Sequence, residues 1–207
     1  MKVVQVTLLT IFCFLFAVAE AQPTNFAKVD SFAISIGKAD GLTIPQLAHA
    51  LTDPFTEPTL KTRAIYTWMA YHIAYDCPAY HTATKRKADP KDVFRMRKAV
   101  CEGYANLFAE LCEQAKLMCL TIDGFARNGT ETFEEELKEP NHTWNAVRIN
   151  GEWKLVDVTW ASGYTDKWVK NFTQSFSGTY LEATDDDLCR SYEWPRVLQK
   201  NRSIILT

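Results

Sequence analysis

Two β-rich runs, His142 to Ile149 and Glu152 to Trp160, flank the dipeptide Asn150-Gly151. Asn-Gly suits a two-residue type I′ turn, where both central residues take positive φ. The chain is thereby committed to an antiparallel hairpin, and a register follows. Ile149 faces Glu152, and counting outward puts His142 opposite Thr159 and Asp157 opposite Trp144. His142 and Asp157 become diagonal neighbours on one face. Diagonal partners lie roughly 7–8 Å apart at the backbone, a gap that an imidazole and a carboxylate can close.

Upstream of the hairpin the pattern changes to helical spacing. Residues 22–41 read as mixed and turn-rich. Ile44 to Leu51 forms a short helix with Pro45 in its first turn. From Pro58, the positions Ala64, Ile65, Trp68, Met69, His72 and Ile73 mark a longer helix that runs to about Ala74. Residues 77–91 are polar and read as a loop, and Asp92 to Lys98 as a short helix. From Cys101 to about Lys116, Tyr104, Leu107, Phe108, Leu111 and Ala115 share a face, with Glu102, Asn106, Glu110 and Glu113 mostly opposite. Cys119 to Ala126 reads as a strand and residues 127–140 as an acidic loop. Helices followed by antiparallel strands define an α+β fold, with a cysteine-bearing helix packed on the sheet.

Cys101 therefore stands where an amphipathic helix begins. A thiol there is acidified by the helix dipole and by first-turn N–H groups. His142 can face the sulfur as base while Asp157 fixes its tautomer, and the Cys101 N–H can donate to an oxyanion. Trp144 and Trp160 flank this set in sequence and are candidates to line a substrate cleft, with core packing expected of at least one. Cys112, Cys119, Cys189, His49, His72 and His81 are expected to be structural.

The N-terminus has the form of a secretory signal. Lys2 precedes an apolar run from Val3 to Val18, and Ala19-Glu20-Ala21 is a small-x-small cleavage site. Cys13 lies within that run, too early to carry a lipid at the cleavage point. Residues 1–21 are expected to be removed, leaving 22–207 as a single exported domain with its core at about 42–165. No later stretch is long and apolar enough to span a bilayer. A net charge of −2 gives no electrostatic footprint for nucleic acid or membrane, and Lys85-Arg86-Lys87 reads as a solvated loop. Mature cysteines are Cys77, Cys101, Cys112, Cys119 and Cys189, an odd set that leaves at least one free thiol. Their spacing lacks a CxxC pair, so no zinc site or cofactor is expected, and Asp185 to Asp187 reads as solvated rather than calcium-binding. Sequons occur at Asn128, Asn141, Asn171 and Asn201; a glycan on Asn141 would crowd His142.

The segments VCEGYANLF, NHTWNAV and LVDVTWASGY resemble the three catalytic blocks of the transglutaminase-like superfamily. LKTRAIYTWMAYHIAYD resembles the helix that precedes the cysteine in a branch of bacterial exported proteins related to kyphoscoliosis peptidase. The resemblance implies a papain-like core with Cys101 as nucleophile, His142 as base and Asp157 as orienting carboxylate. It implies attack on amide or ester carbonyls of protein or peptide substrates through a thioester, with hydrolysis as the leading reading. Transfer to an amine, or a non-catalytic binding module on the same fold, are the alternatives. Two positions depart from the family: Ala99 where Gly is frequent, and Val158 where Pro is frequent.

Overall fold

A computed structural model describes residues 25–82, 88–124, 126 and 140–183. The hairpin takes the expected form. Strand β4 (His142–Ile149) pairs with β5 (Glu152–Val156), with Ile149 opposite Glu152 and Asn145 opposite Val156. The turn residues Asn150 and Gly151 have φ of 52° and 89°, as type I′ requires. Strand β3 (Cys119–Gly124) adds antiparallel to β4, placing Gly124 opposite His142, and β8 (Leu181–Ala183) adds to β5. The sheet order is β3-β4-β5-β8.

Helix α6 (Cys101–Gln114) lies on this sheet and buries Tyr104, Leu107, Phe108, Leu111 and Cys112. Val147, Ile149 and Val156 join the same core from the sheet. Trp144, Ala146 and Leu155 face a smaller apolar cluster on the opposite side. Helices α2 (Ile44–Thr52) and α3 (Pro58–His72) cover the far side of α6. A reciprocal cap opens α2: Thr43 accepts from the Gln46 N–H, and the Gln46 side chain accepts from the Thr43 N–H.

Several sequence expectations need correction. Residues 22–41 are not simply turn-rich, because α1 (Ala27–Ser35) forms there. Its amphipathic signal is weak, with Val29 and Ala33 its only buried residues. A long-range ion pair holds it instead: Arg63 donates to Asp30 at 2.7 and 2.8 Å, and Thr67 donates to the same carboxylate at 2.6 Å. The 77–91 segment opens with a single turn, α4 (Cys77–Tyr80), where Asp76 accepts from the Ala79 N–H. Strand β5 stops at Val156 rather than Trp160, and Val158–Ser162 is helix α7. Asp157 caps that helix by accepting from the Trp160 N–H at 3.0 Å, which overrides the strand preference of Val158 and Thr159.

Helix α5 (Pro90–Met96) starts at Pro90, two residues earlier than its sequence pattern suggests, capped by Asp89. Parallel pairing of β1 (Ala74–Tyr75) with β2 (Lys98–Ala99) then fixes the approach to Cys101. Strand β6 (Gly163–Thr165) pairs with β7 (Phe172–Gln174) beyond α7. Residues 1–21 with Cys13, Lys85 to Lys87, the 127–139 part of the acidic loop, Asp185 to Asp187, Cys189, Asn128 and Asn201 lie outside the described residues.

Candidate active site

Three elements bring the site together. Two backbone bonds pin the segment before the thiol: the Ala74 N–H donates to Arg97 O and the Asp76 N–H to Ala99 O, both at 2.9 Å. Ala99 is buried in this pairing, opposite Tyr75. Cys101 follows as the first residue of α6 and is partly exposed. The other end of α6's first turn is anchored by Tyr104, whose hydroxyl donates to Ile73 O at 2.5 Å and lies 3.1 Å from Ser162 Oγ.

His142 opens β4 and Asp157 follows β5. Their contact is close: His142 Nε2 lies 2.6 Å from Asp157 Oδ2, and both side chains are buried. The expected proximity is therefore present, but its geometry differs. Asp157 is not paired opposite Trp144; it sits at the cap of α7 where the chain leaves the sheet. Its second oxygen is held by the Trp160 N–H, and its own N–H donates to Tyr180 O at 2.9 Å. Val158 occupies the first helical position, one that Pro also favours.

The sulfur of Cys101 is hydrogen-bonded by His142. With Nε2 engaged by Asp157, Nδ1 is the nitrogen that faces the thiol. Two backbone N–H groups, from Thr143 and Glu102, also donate to the sulfur. Burial pushes the Cys101 thiol up, but the His142 hydrogen bond, its charge and these two amides prevail and hold it below its ordinary value. Burial likewise pulls the His142 imidazole down, yet the Asp157 charge and hydrogen bond, with a smaller push from Cys101, raise it to about 10. The two shifts point the same way: each favours the thiolate–imidazolium pair over the neutral thiol and imidazole.

Aromatic rings enclose that cation. Trp144 stacks at 5.9 Å and 25° from the imidazole, and Trp160 lies at 5.4 Å and 35°. Ring faces favour a positive charge, so both add to the preference for imidazolium. The two tryptophans differ otherwise. Trp144 is buried in the small apolar cluster, while half-buried Trp160 lines a cavity that also touches His142. Trp160 thus borders the cavity and Trp144 packs in the apolar cluster.

The remaining histidines occupy structural or surface positions. His72 bonds the Trp68 carbonyl at 2.8 Å, His49 meets Asp53 at 3.2 Å, and His81 reaches the carbonyls of Trp168 and Val169. Cys77, Cys101, Cys112 and Cys119 are free thiols, with Cys112 fully buried against Cys119. Asn141 is doubly used: its side chain accepts from the Ala126 N–H at 2.7 Å and donates to Ala126 O at 3.0 Å. Among the described residues, no His, Cys, Asp and Glu cluster is placed to hold a metal ion, and no helix is long and apolar enough to cross a membrane. Sequence reasoning missed the Thr143 and Glu102 amides and the Tyr180 carbonyl, since backbone groups carry no residue-type signal.

A cysteine at a helix start, facing a histidine–aspartate pair on an antiparallel sheet, defines the papain-like class of α+β fold. The chain belongs within that class to the transglutaminase-like superfamily, whose pattern matches residues 45–158, more than half of its length. It is similar to human kyphoscoliosis peptidase, 34% identical over 158 residues, which cover 76% of this chain and 24% of that protein. Drosophila melanogaster hillarin is 29% identical over 143 residues, covering 68% of this chain and 17% of that protein. The chain thus spans about a quarter or less of these relatives. A solved TGase structure aligns with a TM-score of 0.46 at 17% identity, over 82% of this chain and 42% of that one.

Proposed function

We propose that this protein is an exported cysteine hydrolase that cleaves amide bonds of peptides or proteins through a thioester on Cys101. One observation carries the reading: the 2.6 Å His142–Asp157 contact stands behind a sulfur that His142 itself hydrogen-bonds. A binding module needs none of the three groups in this relation.

The chemistry follows from the positions. The Cys101 thiolate attacks the carbonyl carbon, and the carbonyl π pair moves onto oxygen. The Cys101 N–H, in the first turn of α6, has no acceptor within the helix and is available to the oxyanion. As the tetrahedral species collapses, the C–N bond breaks and the His142 imidazolium gives its Nδ1 proton to the departing amine. A thioester and a neutral imidazole remain. Water then adds, losing its proton to His142; the C–S bond breaks, releasing the acid and restoring thiolate and imidazolium. Asp157 holds its proton-bonding geometry throughout. An amine replacing water would give transfer instead, so the acceptor decides between hydrolysis and crosslinking.

Export is part of the proposal and rests on Lys2, the Val3 to Val18 run and Ala19-Glu20-Ala21. It places the protein outside the cytoplasm, secreted or periplasmic. Mass spectrometry of the mature protein should find Gln22 at its N-terminus; an intact Met1 or Lys2 end would refute export by this signal.

The activity is tested with a pool of peptides and mass-spectrometric detection of new amino termini. The reading expects cleavage by the wild type and none by Cys101→Ala of the same thermal stability. Equal cleavage by both proteins removes Cys101 from the chemistry.

A further inference from the structure

A cavity of about 490 Å3 adjoins the site, and nothing in the triad chemistry accounts for it. His142 and Trp160 belong to its wall, but Cys101 does not. The rest of the wall is dominated by rings drawn from separate elements: Tyr75 and Tyr80 around β1 and α4, Tyr164 and Phe172 from the β6–β7 pair, and Tyr180 before β8. These rings pack on one another, with centroids 6.3 Å apart for Tyr75–Tyr80, 6.5 Å for Tyr75–Phe172 and 5.8 Å for Trp160–Tyr180. Among the described residues the wall includes no Asp, Glu, Lys or Arg.

Position tells which part of a substrate belongs there. The acyl portion becomes bonded to sulfur, whereas the released amine must reach the imidazole that protonates it. A cavity that shares its wall with His142 and not with the sulfur lies on the released side. Its volume is that of a small-ligand pocket, ample for one bulky residue. The rings offer faces and edges to an apolar or aromatic side chain. A charged side chain would enter this wall without an opposite charge to pair with, since its described residues include no carboxylate.

We propose that this cavity binds the residue on the amine side of the scissile bond and selects an aromatic or large apolar side chain over a charged or small one. The inference rests on the amide-cleaving reading of Cys101 and adds its specificity. It also predicts that a lysine side chain is disfavoured in an acyl acceptor, because an acceptor amine must enter by the route that the leaving amine takes.

Partitioning of an acyl-enzyme tests this without a known substrate. The full mature chain is acetylated with p-nitrophenyl acetate in the presence of phenylalaninamide, glycinamide, lysinamide or aspartic acid α-amide, and each N-acetyl product is quantified. Phenylalaninamide should capture the acetyl group about tenfold more than the others, and Tyr164→Ala should compress that ratio to below about threefold, since Tyr164 is in the wall yet 63% exposed and tolerates truncation. Flat partitioning, or lysinamide as the best acceptor, overturns the inference while Cys101-dependent p-nitrophenol release leaves the hydrolase reading standing. Release that is unchanged in Cys101→Ala overturns both. Should water outcompete every amine, the same four compounds are compared as protectants of Cys101 against iodoacetamide; equal protection also overturns the inference.

Discussion

Asp157→Asn isolates the one charge on which the site depends. Asn retains the shape and an acceptor for the Trp160 N–H, and it caps helices as well as Asp does, so α7 should persist. What disappears is the negative charge 2.6 Å from His142 Nε2. In the wild type, burial pulls the imidazole down and Asp157 supplies the larger share of the push that brings it up to about 10. Against an ordinary value near 6.5, a rise of that size corresponds to on the order of 4–5 kcal/mol favouring the cation. Without Asp157 the largest push toward the cation is gone and burial acts against it, so His142 titrates lower. The thiol then loses its cationic partner, and its own burial is no longer outweighed. A thiol at or above its ordinary value of ~8.5 is less than about 1% thiolate at pH 6. Iodoacetamide alkylation of Cys101, followed by peptide mapping, should therefore slow by more than about tenfold at pH 6 and converge with the wild type above roughly pH 9. Turnover should fall by about 10³- to 10⁴-fold, as expected when an orienting carboxylate is neutralised. Alkylation at pH 6 within about threefold of the wild type, in a variant with unchanged far-ultraviolet circular dichroism, would show that the His142–Asp157 pair does not prime the thiol.

Other consequences concern pH and packing. His142 has a folded value of about 10, above its unfolded ~6.5, so its contribution to stability is complete below about pH 6.5 and lost as pH rises through about 10. Urea unfolding should accordingly show the wild type exceeding Asp157→Asn most at pH 6 and little at pH 10.5; a constant difference contradicts the linkage. Asp30→Ala leaves the buried Arg63 guanidinium without its carboxylate and should cost about 3–5 kcal/mol in the same assay, with a loss under 1 kcal/mol refuting the ion pair as the anchor of α1. Gly163 has a φ of 155° and an added Cβ would stand 2.1 Å from Thr173 O, so Gly163→Ala should lower the melting temperature by several degrees or prevent folding. An added Cβ at Gly124 would meet the Trp144 ring at 2.2 Å, pushing the indole that backs His142. Gly124→Ala should therefore slow Cys101 alkylation at pH 6 even where the fold survives, and a wild-type rate would argue that Trp144 does not support the imidazole.

The hairpin and the cysteine helix were legible because their signals are local. Asn150-Gly151 dictates a turn, and the Tyr104, Phe108, Leu111 stripe dictates which face of α6 is buried. Asp157 shows the limit. Val156, Val158 and Thr159 carry strand preference, and the Asp157 cap on the Trp160 N–H, together with Tyr180 O taking the Asp157 N–H, ends β5 and starts α7. The histidine–aspartate contact was thus anticipated across a ladder that does not extend so far. Helix α1 was missed for a related reason: its anchor, Arg63, lies 33 residues away in the chain and outside any periodicity window. Tyr164, Phe172 and Tyr180 were visible only as an aromatic-rich tail. Their convergence beside His142 depends on the β6–β7 pairing and the return of the chain along α7, where the Ser175 and Ser177 N–H groups bond Ser162 O and Ala161 O.

The central claim is a thioester on Cys101, and acid-quenched trapping addresses it most directly. The mature protein is mixed briefly with p-nitrophenyl acetate, quenched at low pH and mapped by mass spectrometry, with Cys77, Cys112 and Cys119 as internal comparisons. The account predicts acetyl on Cys101 alone, formed in proportion to the p-nitrophenol burst, removed by hydroxylamine and absent from His142→Ala at pH 6. Acetyl spread over the other cysteines as well, or placed elsewhere while Cys101 stays unmodified, would contradict it.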